Sequence, residues 1–270
     1  MDKLIEEKFT RLKEIFLSMG KVIVAYSGGV DSTFLLRMAQ ESLGKENVIA
    51  VTALSPLYPE RELVEAKRMA QEMGVKHILI ESNELEIEGF SKNPSNRCYF
   101  CKKGLFKEME NLARKESFSY VVEGSTLDDE KDHRPGRRAI QEFGIRSPLQ
   151  EAGFTKEEVR KLSRMLGLPT WDKPSFACLA SRFPYGEEIT PEGLKMVDEA
   201  EDFLFSLGFK QVRVRHYQNL ARIEVYPEEM TRLLDGSLRE TVVNRLKEIG
   251  YRYVTLDLQG FRSGSMNEVL

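Results

Sequence analysis

Apolar residues at the start of the chain recur with helical spacing. Leu4, Ile5, Phe9, Leu12, Ile15, Phe16 and Met19 alternate with charged positions, which predicts an amphipathic helix. The pattern then switches to a short continuous apolar run, VIVAY at 22–26, the mark of a buried strand. Gly28 and Gly29 follow, then Asp31, Ser32 and Thr33, then a helical pattern carrying Phe34, Leu35, Met38 and Ala39. VIAVTAL at 48–54 predicts a second strand, 60–73 a charged amphipathic helix ending near Gly74, and HILIE at 77–81 a third strand. A helix over 103–115 and a strand at 120–124 come next. Strands alternating with helices predict an α/β fold, a parallel sheet covered on both faces. A further helix at 151–167 has Thr155 as its N-cap and Glu158 three residues on, the spacing of a capping box.

From 168 to 184 the chain is a proline-punctuated connector, LPTWDKPSFACLASRFP. Beyond it the order changes to a helix at 191–207, alternating strands at 211–217 and 220–226, a largely helical stretch at 228–249, and a strand at 253–258. This predicts a first domain over 1–174 and a smaller α+β domain over 175–270, with a loose tail after Phe261. No repeat or low-complexity run interrupts either part.

The turn at 27–32 is the first candidate for chemistry. Glycines let backbone approach a ligand closely, and a strand–turn–helix junction leaves N–H donors at a helix start, with Ser27 and Ser32 adding hydroxyls. The turn is a phosphate cradle of neither common kind. It lacks the Gly-Lys-Ser/Thr of a Walker A loop, and its adjacent glycines do not fit GxGxxG. SGGVDS instead resembles the PP-loop of the ATP pyrophosphatase family, with its adenine nucleotide alpha hydrolase-like fold. That resemblance implies an enzyme that holds ATP by its pyrophosphate end, cleaves between the α and β phosphates, and adenylates a substrate. Ligands of parallel sheets bind beyond the strand carboxyl ends, so Ser27, Gly28, Gly29, Asp31 and Ser32 are joined as ATP-binding candidates by Ala53 and Gly124. Asp31 is the candidate for phosphate-side Mg²⁺ or for ordering the loop. Its plain alternative is a carboxylate favoured by the helix dipole.

Composition narrows the class. The 270 residues are 31% charged and 41% hydrophobic, ordinary for a globular chain of one or two domains. No apolar run approaches a membrane span, and the first twenty residues are too charged for a signal peptide, so a cytoplasmic protein is expected. A net charge of −3 with no basic tail argues against a nucleic-acid partner, although a local basic patch stays open.

Cys98, Cys101 and Cys178 are the only cysteines. The first two form CxxC in NRCYFCK, a spacing that can chelate a metal or a cluster, and the third lies in the connector as FACLASR. Without a secretory signal a structural disulfide is not expected. Three thiolates suit an iron–sulfur cluster with an open iron and equally a zinc site completed from outside. The plain alternative is three ordinary thiols. His77, His133 and His216 are the available fourth ligands, with His77 at the start of a strand better suited to a structural role.

Longer stretches are similar to one family. SGGVDST at 27–33, NRCYFCK at 96–102, EGSTLDD at 123–129, DHRPG at 132–136, residues 147–182 from SPLQEAG to CLASR, and VRVRH at 212–216 resemble the LarE family. These are PP-loop sulfur transferases that help build a nickel-pincer nucleotide cofactor. The resemblance covers nearly the whole chain. It implies a pyridinium-3,5-biscarboxylic acid mononucleotide as small-molecule substrate, with ATP and Mg²⁺ activating its carboxylates for conversion to thiocarboxylates. Single-cysteine members sacrifice the sulfur of the residue matching Cys178. Three-cysteine members resemble cluster enzymes, so here the resemblance implies a [4Fe-4S] cluster on Cys98, Cys101 and Cys178, fed by sulfide or cysteine-derived sulfur. It also implies a homo-oligomer, with 175–270 as the substrate-binding and oligomerising domain.

Catalytic candidates are then Cys178, Asp31 and Glu201, the last equally readable as an exposed helix position. Arg213 and Arg215 share one strand face in VRVRH, and paired guanidiniums suit the substrate's phosphate. Ser181 and Arg182 follow Cys178 and are placed to grip the same substrate. Asp128 and Asp129 read as metal or ribose ligands or as a plain turn, and Arg134 and Arg137 as anion contacts or a basic loop. The competing function is a PP-loop tRNA thiolase. An amidating ligase gives the cysteines no role, and a non-enzymatic regulator gives the loop none.

Overall fold

A computed structural model describes residues 3–130, 136–174 and 176–269. Contacts gather the chain into two units. One holds the residues up to Ser82 with Asn96–Phe176, the other Asn83–Ser95 with the chain from Ala177 onward.

The first unit runs α1 (Lys3–Met19), β1 (Val22–Ala25), α2 (Val30–Leu43), β2 (Val48–Leu54), α3 (Glu60–Glu72), β3 (Lys76–Glu81), α4 (Arg97–Glu116), β4 (Tyr120–Val122), α5 (Gly136–Glu142), α6 (Pro148–Glu151) and α7 (Lys156–Met165). Its four strands lie in the order β3-β2-β1-β4 and every pairing is parallel, with Val22 opposite both Val48 and Tyr120. Alternation along β1 sends Val22 and Val24 to one face and Ile23 to the other. On the first face they meet Leu12 and Phe16 of α1, Phe34 and Leu35 of α2, and Phe154. On the second, Ile23, Ile49, Val51 and Val121 meet Phe106 and Met109 of α4. This is the parallel, doubly covered α/β sheet that the sequence pattern predicts.

Three local readings change. Leu4 is 55% exposed, outside the buried stripe of Ile5, Leu12, Phe16 and Met19. The helix predicted over 103–115 begins at Arg97, so CxxC lies inside its first turns. The helix predicted over 151–167 is split at Gly153, whose φ is +83°. After that break Thr155 and Glu158 form the capping box, and Glu158 also pairs with Lys8 of α1 at 2.7 Å.

The second unit runs α8 (Pro191–Ser206), β5 (Val212–Tyr217), β6 (Leu220–Val225), α9 (Gly236–Ile249) and β7 (Tyr253–Leu256). β5 and β6 are an antiparallel hairpin, while β7 joins β6 in parallel after the crossover through α9. Leu204 of α8, Val212, Val214, Val225 and Leu246 form its core. Asn83–Ser95 packs here through Asn93, whose side-chain amide donates to the carbonyls of Phe183 and Pro184 at 3.1 and 2.6 Å. The helical stretch predicted over 228–249 divides at Asp235, which caps α9 by accepting from the Leu238 N–H. The tail expected to be loose is tied at two points: Phe261 N–H donates to the Val225 carbonyl at 2.8 Å, and Ser265 is buried. No helix among the described residues is long and apolar enough to cross a membrane.

Candidate active site

At the carboxyl end of β1 the chain turns through Gly28 with φ +68° and enters α2 from Gly29. A Cβ on Gly28 would stand 3.0 Å from the Ala66 Cβ of α3, so the turn has room only for glycine. Gly29 offers no side-chain cap, and the start of α2 keeps its N–H donors for a ligand. The Ser27 and Ser32 hydroxyls lie 3.1 Å apart, and Ser32 Oγ also accepts from the Ser27 N–H at 3.3 Å. These hydroxyls fix the curl of the loop. Gly124, just past β4, lies against the same helix start. A Cβ there would come within 3.1 Å of the Ser32 nitrogen and 3.2 Å of the Asp31 carbonyl carbon. Ala53 sits near the end of β2, opposite Ile80 of β3.

Asp31 lies in the first turn of α2. Its Oδ2 is 3.5 Å from the Lys156 ammonium, whereas the buried Oδ1 has no hydrogen-bond partner among the described residues. Burial pushes its carboxyl above the ordinary aspartate value. Lys156 pulls it back in part, and the Asp129 carboxylate pushes it up again. An unpartnered buried carboxylate oxygen beside a phosphate cradle fits a hard cation such as Mg²⁺, which binds through one or two carboxylates plus phosphate oxygens.

The CxxC turn is braced by α5. A Cβ on Gly136 would meet the Lys102 side chain at 2.8 Å and the Cys98 carbonyl at 3.5 Å. Tyr99 donates to Glu142 at 2.7 Å. Cys98 is exposed, Cys101 half-buried, and none of the three cysteines is in a disulfide. Two thiols three residues apart on a helix suit two ligand positions of one centre. Cys178 belongs to the second unit. No group of three or more His, Cys, Asp or Glu side chains among the described residues is disposed to hold a metal ion.

In the second unit the predicted residues gather into buried charge pairs. Arg182 and Glu201 are both fully buried and paired bidentately. Arg182 Nη1 also donates to the carbonyls of Ala177 and Cys178 at 2.5 and 3.0 Å and to Ser181 Oγ at 2.9 Å. Glu201 Oε1 accepts from the Val214 N–H at 2.9 Å. Burial alone would raise the Glu201 carboxyl. The Arg182 charge and hydrogen bonds, helped by Arg213, overturn that and hold it below the ordinary glutamate range. Arg215 is bidentate to the fully buried Glu224 at 2.9 and 2.7 Å and donates to the Ser181 carbonyl at 2.9 Å. Arg213, 4% exposed, lies with its guanidinium 5.3 Å from the centre of the Phe261 ring. Glu201 is therefore no exposed helix position, and VRVRH is no solvated strand face.

The profile of the NAD synthase family matches residues 13–114. An uncharacterised protein of Synechocystis is 47% identical over 99% of both chains. The pyridinium-3,5-bisthiocarboxylic acid mononucleotide synthase of Lactiplantibacillus plantarum is 42% identical over 93% of this chain and 90% of its own. The chain belongs to the family of that synthase. An uncharacterised protein of Methanocaldococcus jannaschii, 31% identical over 97% of this chain and 98% of its own, is a more distant relative. The family resemblance in the motifs thus extends along the chain, through both units.

Within this family member, several residues that the motifs did not single out hold the loop. Lys173 donates to the Gly28 carbonyl at 3.3 Å and pairs with Glu62 and Glu65 of α3 at 2.8 and 2.5 Å. Tyr58 donates to the Ser27 carbonyl. Arg160 of α7 fixes the connector by donating to the Trp171 and Lys173 carbonyls at 2.9 and 2.8 Å. Lysine in WDKP carries no motif signal, and only folding brings it under Gly28. Of the aspartates left open by sequence, Asp129 closes a turn by accepting from the Thr126 N–H at 2.8 Å, while Asp128 reaches the start of α7 and accepts from the Lys156 N–H at 2.6 Å. Arg137 donates to the Asp129 carbonyl at 3.4 Å. His77 bonds Thr52 Oγ1 at 2.8 Å and His216 bonds the Tyr251 hydroxyl at 3.1 Å, and burial lowers both imidazoles. His133 and Arg134 lie outside the described residues.

Proposed function

We propose that the protein is an ATP-dependent sulfur transferase. It adenylates the carboxylates of pyridinium-3,5-biscarboxylic acid mononucleotide and replaces the activated oxygen with sulfur. The observation that carries this reading is the 27–32 phosphate cradle, with the unpartnered Asp31 oxygen beside it, in a chain 42% identical to the named synthase. In the first step a substrate carboxylate oxygen attacks the α-phosphorus of ATP and pyrophosphate leaves. In the second, a sulfide nucleophile adds to the acyl carbon and AMP leaves with the former carboxylate oxygen. The N–H donors at the start of α2, with Ser27, Gly28, Gly29 and Ser32, hold the phosphates, while Ala53 and Gly124 border the nucleotide. Asp31 would hold Mg²⁺, which when bound neutralises charge building on the phosphates.

The thiols of Cys98, Cys101 and Cys178 would hold a [4Fe-4S] cluster, and the all-thiolate donor set fits one. When bound, such a cluster would supply sulfide-level sulfur to the activated carboxylate, with sulfide or a cysteine-derived donor replenishing it. Arg182 and Glu201 act by positioning the Cys178 segment, while Ser181, Arg213 and Arg215 form the side that takes the mononucleotide, whose phosphate suits a guanidinium. Residues 175–270 would then serve substrate binding and self-assembly. Exposed Leu234, Tyr253 and Leu258 there support a homo-oligomer, and a thiolate ligand set, which needs a reducing compartment, goes with a cytoplasmic setting.

Pyrophosphate release tests the reading. It should require the biscarboxylic mononucleotide together with ATP and Mg²⁺. Release that ignores this substrate but rises with tRNA would replace the reading with a tRNA thiolase.

A further inference from the structure

The carboxy-terminal segment places one small side chain between two buried charges. The chain turns at Gly260, with φ +68°, where a Cβ would meet the Val225 carbonyl at 2.9 Å. It then runs back over the face that β5 and β6 share, on which Arg213 lies opposite Glu224 and Arg215 opposite Arg222. Ser265, 8% exposed, accepts from Arg215 Nη2 at 3.0 Å, and its hydroxyl donates to Glu224 Oε1 at 3.5 Å. Glu224 Oε1 is also bonded by Arg215 Nε at 2.9 Å and Arg222 Nη2 at 3.1 Å.

This position selects for chemistry. A group sitting there must accept from a guanidinium and donate to a carboxylate at once. A phosphate oxygen satisfies the arginine but meets the buried Glu224 charge with a second negative charge. A hydroxyl satisfies both, as serine does. The segment that delivers it is lightly held. It is tied at Phe261, whose N–H bonds the Val225 carbonyl at 2.8 Å and whose ring lies near Arg213 and Tyr226. Past that point its side-chain contacts besides Ser265 are polar or partly exposed, among them Arg262 with Asp257 at 4.0 Å, Met266 sulfur with Arg222 at 3.9 Å and Tyr185 with Asn267 at 3.0 Å. Few buried apolar contacts make such a segment cheap to open.

We propose that the Ser265 hydroxyl stands in for a ribose hydroxyl of the mononucleotide, and that Arg215 with Glu224 reads that hydroxyl once the 261–269 segment is displaced. The inference rests on the reading of this face as the mononucleotide's site. It divides the labour: the sugar goes to the Arg215–Glu224 pair, and the phosphate to the Arg213 guanidinium.

The test uses the full chain with nicotinic acid mononucleotide, its 2′,3′-dideoxy analogue and inorganic phosphate. Calorimetry should show the ribose form binding about tenfold or more tighter than the dideoxy form, the scale of a hydrogen bond to a charged group. Ser265→Ala should bind the ribose form several-fold more tightly than the unaltered chain. Trypsin cleavage after Arg262, read as release of residues 263–270 by mass spectrometry, should be faster with the ribose form present. Equal binding of the two analogues, or cleavage slowed or unchanged by the ribose form, overturns the inference while leaving the phosphate reading intact. Failure of all three probes to bind overturns both.

Discussion

Arg182 and Glu201 hold each other by two hydrogen bonds of 2.8 Å, Nε to Oε1 and Nη2 to Oε2, with neither side chain exposed. Arg182 Nη1 donates to the carbonyls of Ala177 and Cys178 and to Ser181 Oγ. The backbone that carries the Cys178 thiol is thus fixed by a charge pair anchored on α8.

Removing one partner leaves an uncompensated buried charge. Arg182→Met is expected to cost about 3–5 kcal/mol, read as a lower urea midpoint. Arg182→Lys keeps the charge but not the planar fork that reaches Glu201 and both carbonyls together. It should speed amide hydrogen exchange over 178–182.

Acid should act on the same pair. Glu201 titrates below the ordinary glutamate value, so its stabilisation is complete above about pH 4.3 and is lost as pH falls through the lower folded value. Urea midpoints measured across the acid range should fall more steeply for the unaltered chain than for Glu201→Gln, which carries no charge to lose. Parallel slopes would remove Glu201 from the acid response.

Asp31 moves in the other direction. Because burial holds its carboxyl above the ordinary aspartate value, it takes up a proton at higher pH than an exposed aspartate would. Mg²⁺ affinity in the presence of ATP should therefore weaken as pH falls, beginning above about pH 3.9. Asp31→Asn should flatten that profile and suppress pyrophosphate release. A profile unchanged by the substitution would take Asp31 out of the metal site.

Gly124 tests the cradle by shape alone. Gly124→Ala puts a methyl 3.1 Å from the Ser32 nitrogen at the start of α2. Pushing that helix start aside should cost about 1–3 kcal/mol in stability and raise the KM for ATP more than it lowers kcat. An unchanged KM would mean that the start of α2 does not hold the nucleotide.

The parts of this molecule readable from sequence are those encoded locally. VIVAYSGGVDST declares strand, turn and helix through its own residues, and Thr155 with Glu158 declares a capping box within four residues. What stayed hidden depends on distant chain. The start of α4 at Arg97 has no acidic residue in its first turn to announce it, so the pattern begins the helix at 103, past CxxC. Lys173 lies 145 residues from the carbonyl it supports, and Ser265 lies 50 from Arg215. Glu201 looks like one more charged helix position until Arg182 is placed beside it. The tail has no hydrophobic pattern, because polar bonds to Arg215 and Tyr185 hold it rather than a core.

Thiol ligation has its own test. Anaerobic preparation with iron and sulfide should give brown protein, and Cys98→Ala or Cys101→Ala should lose the iron. Iron content unaffected by either change would mean that the turn at the start of α4 holds no cluster.

The central claim is sulfur insertion, and mass spectrometry of the small-molecule product measures it most directly. The protein is incubated with ATP, Mg²⁺, a sulfide source and pyridinium-3,5-biscarboxylic acid mononucleotide. The mononucleotide should gain the mass of oxygen replaced by sulfur, with AMP and pyrophosphate formed alongside. A mononucleotide of unchanged mass, with ATP still consumed, would contradict the account.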